Sequence, residues 1–481
     1  MIKEKFEDFK LSSDLLKAIT MLNFKNLTKV QKHVIPAVLS QKDVVVKSQT
    51  GSGKTAAYGI PICQLVDWEE NKPQALVITP TRELAIQVKE DIFNIGRFKR
   101  LKVAAIYGQS PFYNQKKELA QKTHIVVGTP GRIMDHLDKG TFDTSNIKYL
   151  VIDEADEMLN MGFVDQIETI IRGLPKERVT MLLSATMPKD IENLCKRYMK
   201  DPIRIDIEDQ NKAADRICQE RYDVNEQGKI VLLSDITVVE NPDSCMIFCN
   251  TKIKVDEVYN EMVKLHYTCK KIHGGMEQSD RLRVMNDFKS GYFRYLVATD
   301  VAARGIDIDD ITLVINYDIP EDKESYVHRI GRTGRIGKLG RAITFVTQNE
   351  NRYLDDIEEY IGKEIPLKTR PEVETVDDAK EEFEDKMNTR PEVKEAKGAE
   401  LSKEIMKLHI NAGKKTKMRA MDIVGTLCSI EGMTKDDIGI INIVDISTFV
   451  EILNNKGELV FQQLQNRPIK GRPRTVSKVD I

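Results

Sequence analysis

In "KYLVIDEAD" an apolar run, Tyr149 to Ile152, ends in three carboxylates, Asp153, Glu154 and Asp156. A run of that length suits a strand buried on both faces. Carboxylates at its end repel one another and resist desolvation. Either the turn is loosely exposed, or it faces a cation at the carboxyl edge of a parallel sheet, where open α/β sheets place their ligands. A second stretch, "SQTGSGKT" at 48–55, follows the apolar run "DVVVK" and precedes a helical pattern. A Gly-rich turn there, through Ser48, Gln49, Thr50, Gly51, Ser52 and Gly53, aims backbone N–H groups at phosphate from the positive end of a helix. Lys54 would reach the β- and γ-phosphates and Thr55 would hold Mg²⁺. The phosphate-loop pattern ordinarily opens with Gly, where Ser48 stands here. Either stretch alone could be an ordinary strand-end turn. Together they are complementary: Asp153 would hold the Mg²⁺, directly or through water, and Glu154 would orient and deprotonate an attacking water.

Such residues need a parallel sheet to carry them. "DVVVKS", "ALVITP", "VAAIYG", "HIVVGTP", "YLVIDEAD" and "TMLLSAT" read as strands separated by helix-length segments, the alternation of a doubly wound fold. A second series, "CMIFCN", "KKIHGG", "RYLVATD", "LVINYD" and "RAITFVT", has the same alternation without a second phosphate loop. The expected fold class is α/β: two tandem parallel-sheet domains, 1–208 and 214–365, an acidic helical or flexible linker at 366–403, and a small α+β domain at 404–481. Over 371–400 eleven acidic residues stand against five basic ones. That composition predicts a solvated helix or a flexible linker that tethers rather than docks. "TRPEV" occurs at 369 and 389; two copies are better read as similar helix starts than as a solenoid.

Composition narrows the class. The 481 residues are 41% hydrophobic and 31% charged, as in a soluble cytosolic protein. No apolar run approaches the ~18 residues of a membrane span, and "MIKEKFEDFK" has no signal-peptide core. The seven cysteines form no CxxC pair and read as reduced thiols; the seven histidines show no metal-ligand spacing. A net charge of −2 leaves any nucleic-acid surface to be built locally.

The chain resembles the DEAD-box RNA helicases over most of 6–347. "DEAD" at 153–156 and "QTGSGKT" carry the resemblance, with "FEDFKLSSDLLKAITMLNFKNLTKVQ" similar to the adenine-reading Q motif. It implies two RecA-like lobes, ATP and Mg²⁺ as cofactors, and RNA as partner, with neither DNA nor membrane expected. In the Q motif it implies adenine contacts at Phe24, Asn26 and Gln31; an amide can donate to one edge atom and accept from another. Positions 27 and 23 are Leu and Asn where the family usually has Pro and Gly. "PTRELA", "TPGR" and "SAT" match in order. They imply RNA backbone contacts from Arg82, Gly108, Thr129, Gly131 and Arg132, and coupling to the second lobe by Ser184 and Thr186. The family's paired glycines near 108 are broken by Gln109. "QSDR", "VATDVAARGID" and "HRIGRTGR" imply RNA contacts at Arg281, Thr299 and Asp300, a nucleotide contact at Asp307, arginine fingers at Arg332 and Arg335, and coupling through His328. By the same resemblance, ATP and single-stranded RNA together close the lobes, and closure bends one strand out of a duplex. A DNA helicase or nuclease-coupled motor is disfavoured: no nuclease constellation is present, and the turn is "DEAD" rather than "DExH".

The last segment, about 411–478, resembles the RNA-binding tail of the DbpA/YxiN group, which implies an RRM-like fold. It also implies a large-subunit (23S) ribosomal RNA hairpin or precursor as target, ribosome assembly as context and the cytoplasm as location. Lys414, Lys415, Lys417, Arg419, Lys470, Arg472, Arg474 and Lys478 collect at its ends. Over 411–481 there are eleven basic and eight acidic residues, a difference of +3. Phe449 and Phe461 are its only aromatics, so an electrostatic edge with Lys417, Arg419, Lys470, Arg472 and Arg474 is expected in place of base stacking on the sheet. The other readings of the whole are an ATP-gated RNA clamp or an RNA chaperone and, for the tail alone, a dimerisation or protein-docking domain.

Overall fold

In the computed structural model the described residues are 5–49, 51–207, 217–303, 311–334, 340–389, 391, 393, 401 and 403–479. The chain divides into two compact units, 1–207 with 396–481, and 208–395.

The first unit opens with α1 (Ser13–Met21) and α2 (Lys29–Leu39), then alternates strands and helices. These are β1 (Val44–Lys47), α3 (Lys54–Leu65), β2 (Ala75–Ile78), α4 (Arg82–Ile95), β3 (Val103–Ile106), α5 (Phe112–Leu119), β4 (Ile125–Gly128), α6 (Pro130–Asp138), β5 (Tyr149–Ile152), α7 (Ala155–Asn160), α8 (Val164–Arg172), β6 (Val179–Ser184), α9 (Lys189–Tyr198) and β7 (Ile203–Asp206). Its seven strands order as β3-β4-β2-β5-β6-β1-β7, and every pair is parallel. Helices cover both faces, so the central strands are apolar throughout rather than alternating. One core holds Val44, Val46, Val77 and Val151. The other holds Val45, Leu76, Leu150 and Leu182.

The second unit runs through β8 (Ile217–Asp223), α10 (Lys229–Glu240), β9 (Cys245–Phe248), α11 (Lys252–Lys264), β10 (Cys269–Ile272), α12 (Gln278–Lys289), β11 (Tyr295–Ala298), α13 (Asp300–Ala303), β12 (Leu313–Asn316), α14 (Lys323–Ile330), β13 (Gly340–Val346), α15 (Asn351–Ile361) and α16 (Val373–Asn388). Its parallel sheet orders as β10-β11-β9-β12-β13-β8. The acidic segment departs from expectation here. α16 docks rather than tethers: Phe383 is buried against Tyr267, at 5.4 Å between ring centroids, with Val376, Ala379 and Met387 packed on the same cluster. Lys386 Nζ donates to the Asn241 carbonyl at 2.6 Å. One helical stripe is apolar, and the acidic residues occupy the remaining circumference.

The tail comprises β14 (Met406–Ile410), α17 (Ala420–Cys428), β15 (Ile438–Ile443), β16 (Thr448–Ile452), α18 (Gly457–Gln465) and β17 (Val476–Val479). Its antiparallel sheet orders as β15-β16-β14-β17. Leu408, Ile410, Val450 and Ile452 face Ile423, Leu427, Val460 and Leu464 of the two helices, leaving the opposite face of the sheet to Lys407, His409, Phe449 and Glu451 by the two-residue period of a strand. All seven cysteines are free thiols. Among the described residues no His/Cys/Asp/Glu group could hold a metal by itself, and no helix is long and apolar enough to cross a membrane.

Candidate nucleotide and RNA sites

Three motifs meet because β6 lies between β1 and β5. Lys47 is opposite Ser184, and the Ser48 N–H donates to the Ser184 carbonyl at 2.9 Å. The phosphate loop, the "SAT" turn and the acidic turn therefore leave adjacent strand ends. Gly51 and Gly53 have φ of 77° and 83°, which favours glycine. At Gly53 a Cβ would also stand 2.7 Å from Gln31 Nε2. Lys54 is buried, with Nζ donating to the Ser48 carbonyl at 3.1 Å. Ser48 and Ser52 hydroxyls are 2.7 Å apart, so the Ser at the loop's first position ties the loop across itself.

Asp153 is buried, and Oδ2 accepts from the Tyr58 hydroxyl at 2.8 Å. Burial pushes its carboxyl above the ordinary range, opposed by the Lys54 charge. A buried carboxylate of this kind beside an ammonium fits a divalent cation, which supplies the positive charge that burial withholds. Glu154 has φ 53° and stands at the start of α7. Asp156 is the hub that joins the acidic turn to the "SAT" turn. Its Oδ2 accepts from the N–H groups of Ala185 at 3.0 Å and Thr186 at 2.8 Å, and from the Thr186 hydroxyl at 3.1 Å. Its own N–H donates to Ser184 Oγ at 3.2 Å. Ser184 and Thr186 are thus joined to the acidic turn directly.

Gln31 is buried; its Oε1 accepts from the Thr28 N–H at 3.0 Å and its Nε2 donates to the Gly53 carbonyl at 3.3 Å. The amide thereby spans the cap of α2 and the phosphate loop. Phe24 stacks on Phe6 at 6.4 Å, and Asn26 is exposed. Asn23, at the usual Gly position, has φ 59°, a conformation Asn tolerates better than other side chains.

The other end of the same sheet edge collects the residues expected on RNA. β3, β4 and β2 are neighbours, and they lead to Gly108, to Thr129 and to Arg82. The Thr129 N–H donates to the Ile106 carbonyl at 3.1 Å. Arg82 Nη1 donates to Gln109 Oε1, and Gln109 takes φ 55°; a glutamine holds the left-handed backbone that the missing second glycine would adopt freely. Arg132 Nη1 donates to the Ser110 carbonyl and to Gln115 Oε1, both at 2.9 Å. Gln115 Oε1 also lies 3.2 Å from His136 Nε2. Burial and then the Arg132 charge push the His136 imidazole down to about 4, so it is neutral near pH 7. Gly131 is exposed beside Arg132.

In the second unit Arg281 on α12 and Thr299 after β11 are buried. Asp300 gives both oxygens to Arg329, at 2.6 Å each. Arg329 also donates to the Asp318 carbonyl at 2.6 Å and to Asn250 Oδ1 at 2.8 Å. His328 lies on α14, and Arg332 is buried just past its end. Thr50, Asp307 and Arg335 lie outside the described residues. Sequence reasoning missed Tyr58 and Arg329 as site-building residues and left Asp156 without a role. Arg329 stands inside "HRIGRTGR", and "DEAD" itself contains Asp156, so two of the three were signalled.

In the tail, Lys470 Nζ donates to the Lys417 carbonyl and to Asp422 Oδ2, at 2.8 Å for the latter. Asp422 accepts from the Arg419 N–H at 2.9 Å. Lys417, Arg419 and Lys470 therefore share one patch, and Arg472 returns to it through paired backbone bonds with Ile469. Arg474, farther along, is half-buried.

Family models match in three consecutive blocks: DEAD/DEAH box helicase at 28–194, helicase conserved C-terminal domain at 228–337, and DbpA RNA binding domain at 407–478. The ATP-dependent RNA helicase DbpA of Bacillus subtilis (strain 168) is 57% identical over 475 residues, 99% of each chain. The DEAD-box ATP-dependent RNA helicase CshA of the same organism is 44% identical over 376 residues, covering 78% of this chain and 76% of its own. Among solved structures, S. cerevisiae Dbp5 bound to RNA and ADP BeF3 matches with a TM-score of 0.70 at 30% identity, over 80% of this chain and 100% of that one. With identity sustained from the phosphate loop through the tail, the chain belongs to the DEAD-box ATP-dependent RNA helicases, with two RecA-like domains and a DbpA RNA-binding domain.

Proposed function

We propose that this helicase separates short RNA duplexes beside a hairpin of large-subunit (23S) ribosomal RNA or its precursor, during ribosome assembly in the cytoplasm. The observation that carries the targeting is the tail: a DbpA RNA binding domain at 407–478 with Lys417, Arg419, Lys470 and Arg472 gathered on one exposed edge. The domains proposed are 1–208, 214–365, the segment 366–403, and 404–481.

In this reading Lys54 and the loop N–H groups from Ser48 to Thr55 hold the phosphates of ATP, with Phe24, Asn26 and Gln31 at the adenine. Thr55 and Asp153 hold Mg²⁺, which when bound neutralises charge on the transferred phosphoryl group. Tyr58 fixes the Asp153 carboxylate, and Glu154 takes the proton of the attacking water. Arg332 and Arg335 stabilise charge in the transition state, with Asp307 at the nucleotide. Arg82, Gly108, Thr129, Gly131, Arg132, Arg281, Thr299 and Asp300 form the RNA track. Ser184, Thr186 and His328 couple the two sites. Backbone contacts of this kind carry little sequence information, which leaves selection to the tail, Arg474 included.

The test is ATP turnover against a panel of ribosomal RNA fragments with the full chain and with Arg472→Gln/Arg474→Gln. One hairpin should stimulate far above unrelated RNA, and the double variant should lose that preference while keeping its basal rate. Equal stimulation by all fragments would exclude the ribosomal target. An ATP-gated clamp or chaperone would bind RNA under ATP yet release no strand in a separation assay.

A further inference from the structure

The tail's open sheet face is not bare within the first unit. Arg97, just beyond α4, reaches Glu451 on β16 with Nη2 3.2 Å from Oε1, and both side chains are more than nine-tenths buried. Lys102 Nζ donates to the Ile441 carbonyl on β15 at 2.9 Å, and Arg100 Nη2 to the Lys435 carbonyl at 2.7 Å. Phe98 and Ala18 of the helicase domain pack with Leu401, Ile405 and Leu453. Two exposed ion pairs flank this: Lys117 with Asp445 at 3.3 Å, and Lys17 with Glu404 at 3.6 Å. Beside the buried pair, a cleft of about 370 Å³ is lined by Phe93 and Lys89 on one side and by Lys407, Asn442 and Phe449 on the other.

We infer that the sheet face carrying Lys407, Phe449 and Glu451 is a docking surface for the α4–β3 corner of the first helicase domain, and that RNA uses the basic edge while this contact holds. Three observations support it. An ion pair removed from water on both sides is costly unless geometry keeps it, and an RNA phosphate that took Arg97 would leave Glu451 without its partner, facing an anion. The apolar cluster lies between the domains rather than in the core of either. Lys417, Arg419, Lys470 and Arg472 stay exposed with the contact in place. The docking also sets a geometry. α5 starts three residues after Gln109, the partner of Arg82, and carries Lys117 to Asp445 of the tail. Its eight residues span about 12 Å at 1.5 Å per residue. RNA held by the tail would be presented close to the first domain's RNA track, at a set offset rather than on a slack leash. This second half rests on the tail being the RNA-selecting element; the docking does not.

The exposed ion pairs supply the test. A zero-length carbodiimide reagent should join Lys117 to Asp445 and Lys17 to Glu404 within one full-length chain. Both links should be lost in Arg97→Glu and in Leu401→Asp, and should return in Arg97→Glu/Glu451→Arg. Links absent from the parent protein, or unchanged by the single substitutions, would overturn the docking. The same cross-linking is then repeated with a ribosomal RNA hairpin at a concentration shown to saturate by fluorescence anisotropy. The links should persist. Their loss on RNA binding would mean that RNA takes the sheet face, and would overturn the simultaneous arrangement. Hairpin selectivity is read separately, by turnover, so failure of the ribosomal reading leaves the cross-links to decide the docking.

Discussion

The two parallel-sheet domains end their strands in polar turns by the same construction, to opposite electrostatic effect. In the first, Lys54 donates to a backbone carbonyl, and Asp153 is buried against a tyrosine hydroxyl with its carboxyl pushed upward. In the second, Arg329 is enclosed by Asp300, the Asp318 carbonyl and Asn250. The first turn is poised for charge brought from outside. The second has satisfied its charge internally and serves as a joint that holds strand ends together. The buried charges of the first lobe are thus open to a ligand, as proposed, while in the second Arg329 ties Asp300 into the framework beside the proposed RNA track.

Breaking the poised side should give the largest effect. Lys54→Ala is expected to lower RNA-stimulated ATP turnover by on the order of 10²–10³-fold or more, measured by phosphate release. Turnover within about tenfold of the parent would assign the transition-state charge elsewhere. Glu154→Gln should lose turnover to a similar extent but keep ATP and RNA binding in equilibrium titrations, because the change spares every phosphate contact.

Breaking the satisfied side should read out as stability. Arg329→Ala should destabilise the chain by about 3–5 kcal/mol in urea titration, since Asp300 is left without its partner. A change near zero would mean that the cluster is not a joint.

Asp153→Asn sharpens the contrast. A folded-state pKa raised by burial means that the charged carboxylate costs stability at neutral pH, and that this cost disappears as pH falls through the folded pKa. Without nucleotide the variant should melt above the parent at pH 7, and the gap should narrow toward pH 4. With Mg²⁺ and ATP the parent should gain more in melting temperature than the variant. A variant that melts lower than the parent at pH 7 would show that Asp153 is satisfied by its neighbours.

The smallest effect is expected at the RNA end. Gln109→Gly removes a left-handed non-glycine, a conformation costing about 1–2 kcal/mol, partly offset by glycine's own entropy. Stability should change by less than about 1 kcal/mol. RNA affinity should rise, because Arg82 is released from Gln109. Weaker binding would identify the Arg82–Gln109 contact as part of the RNA track.

How legible each feature was follows from its range along the chain. The central strands were readable because burial on two faces demands unbroken apolar runs. β7 and β8 were not, because edge strands tolerate polar residues: Ile203 and Arg204 are exposed, and β8 alternates "ICQERYD". The docking of α16 left a trace in the spacing of Val376, Ala379, Phe383 and Met387, diluted by the acidic residues between them. The candidate nucleotide site could be read as a pair of complementary motifs because the residues proposed for it are local to two turns. Tyr58 to Asp153 spans 95 positions and Arg97 to Glu451 spans 354; no local pattern carries pairings of that reach.

Glu154 carries one further consequence. Its φ of 53° is a conformation that glycine or asparagine would occupy more cheaply. Selection for folding alone would drive this position away from glutamate. The chain keeps it, so the reaction's proton acceptor, as proposed, is also a site of stored backbone tension. Engineering for thermal resistance by stability ranking alone would favour replacing Glu154 early, and, on the role proposed for it, the resulting protein would outlast its parent in heat while turning over no nucleotide. In this fold, durability and turnover are opposed at a single backbone angle.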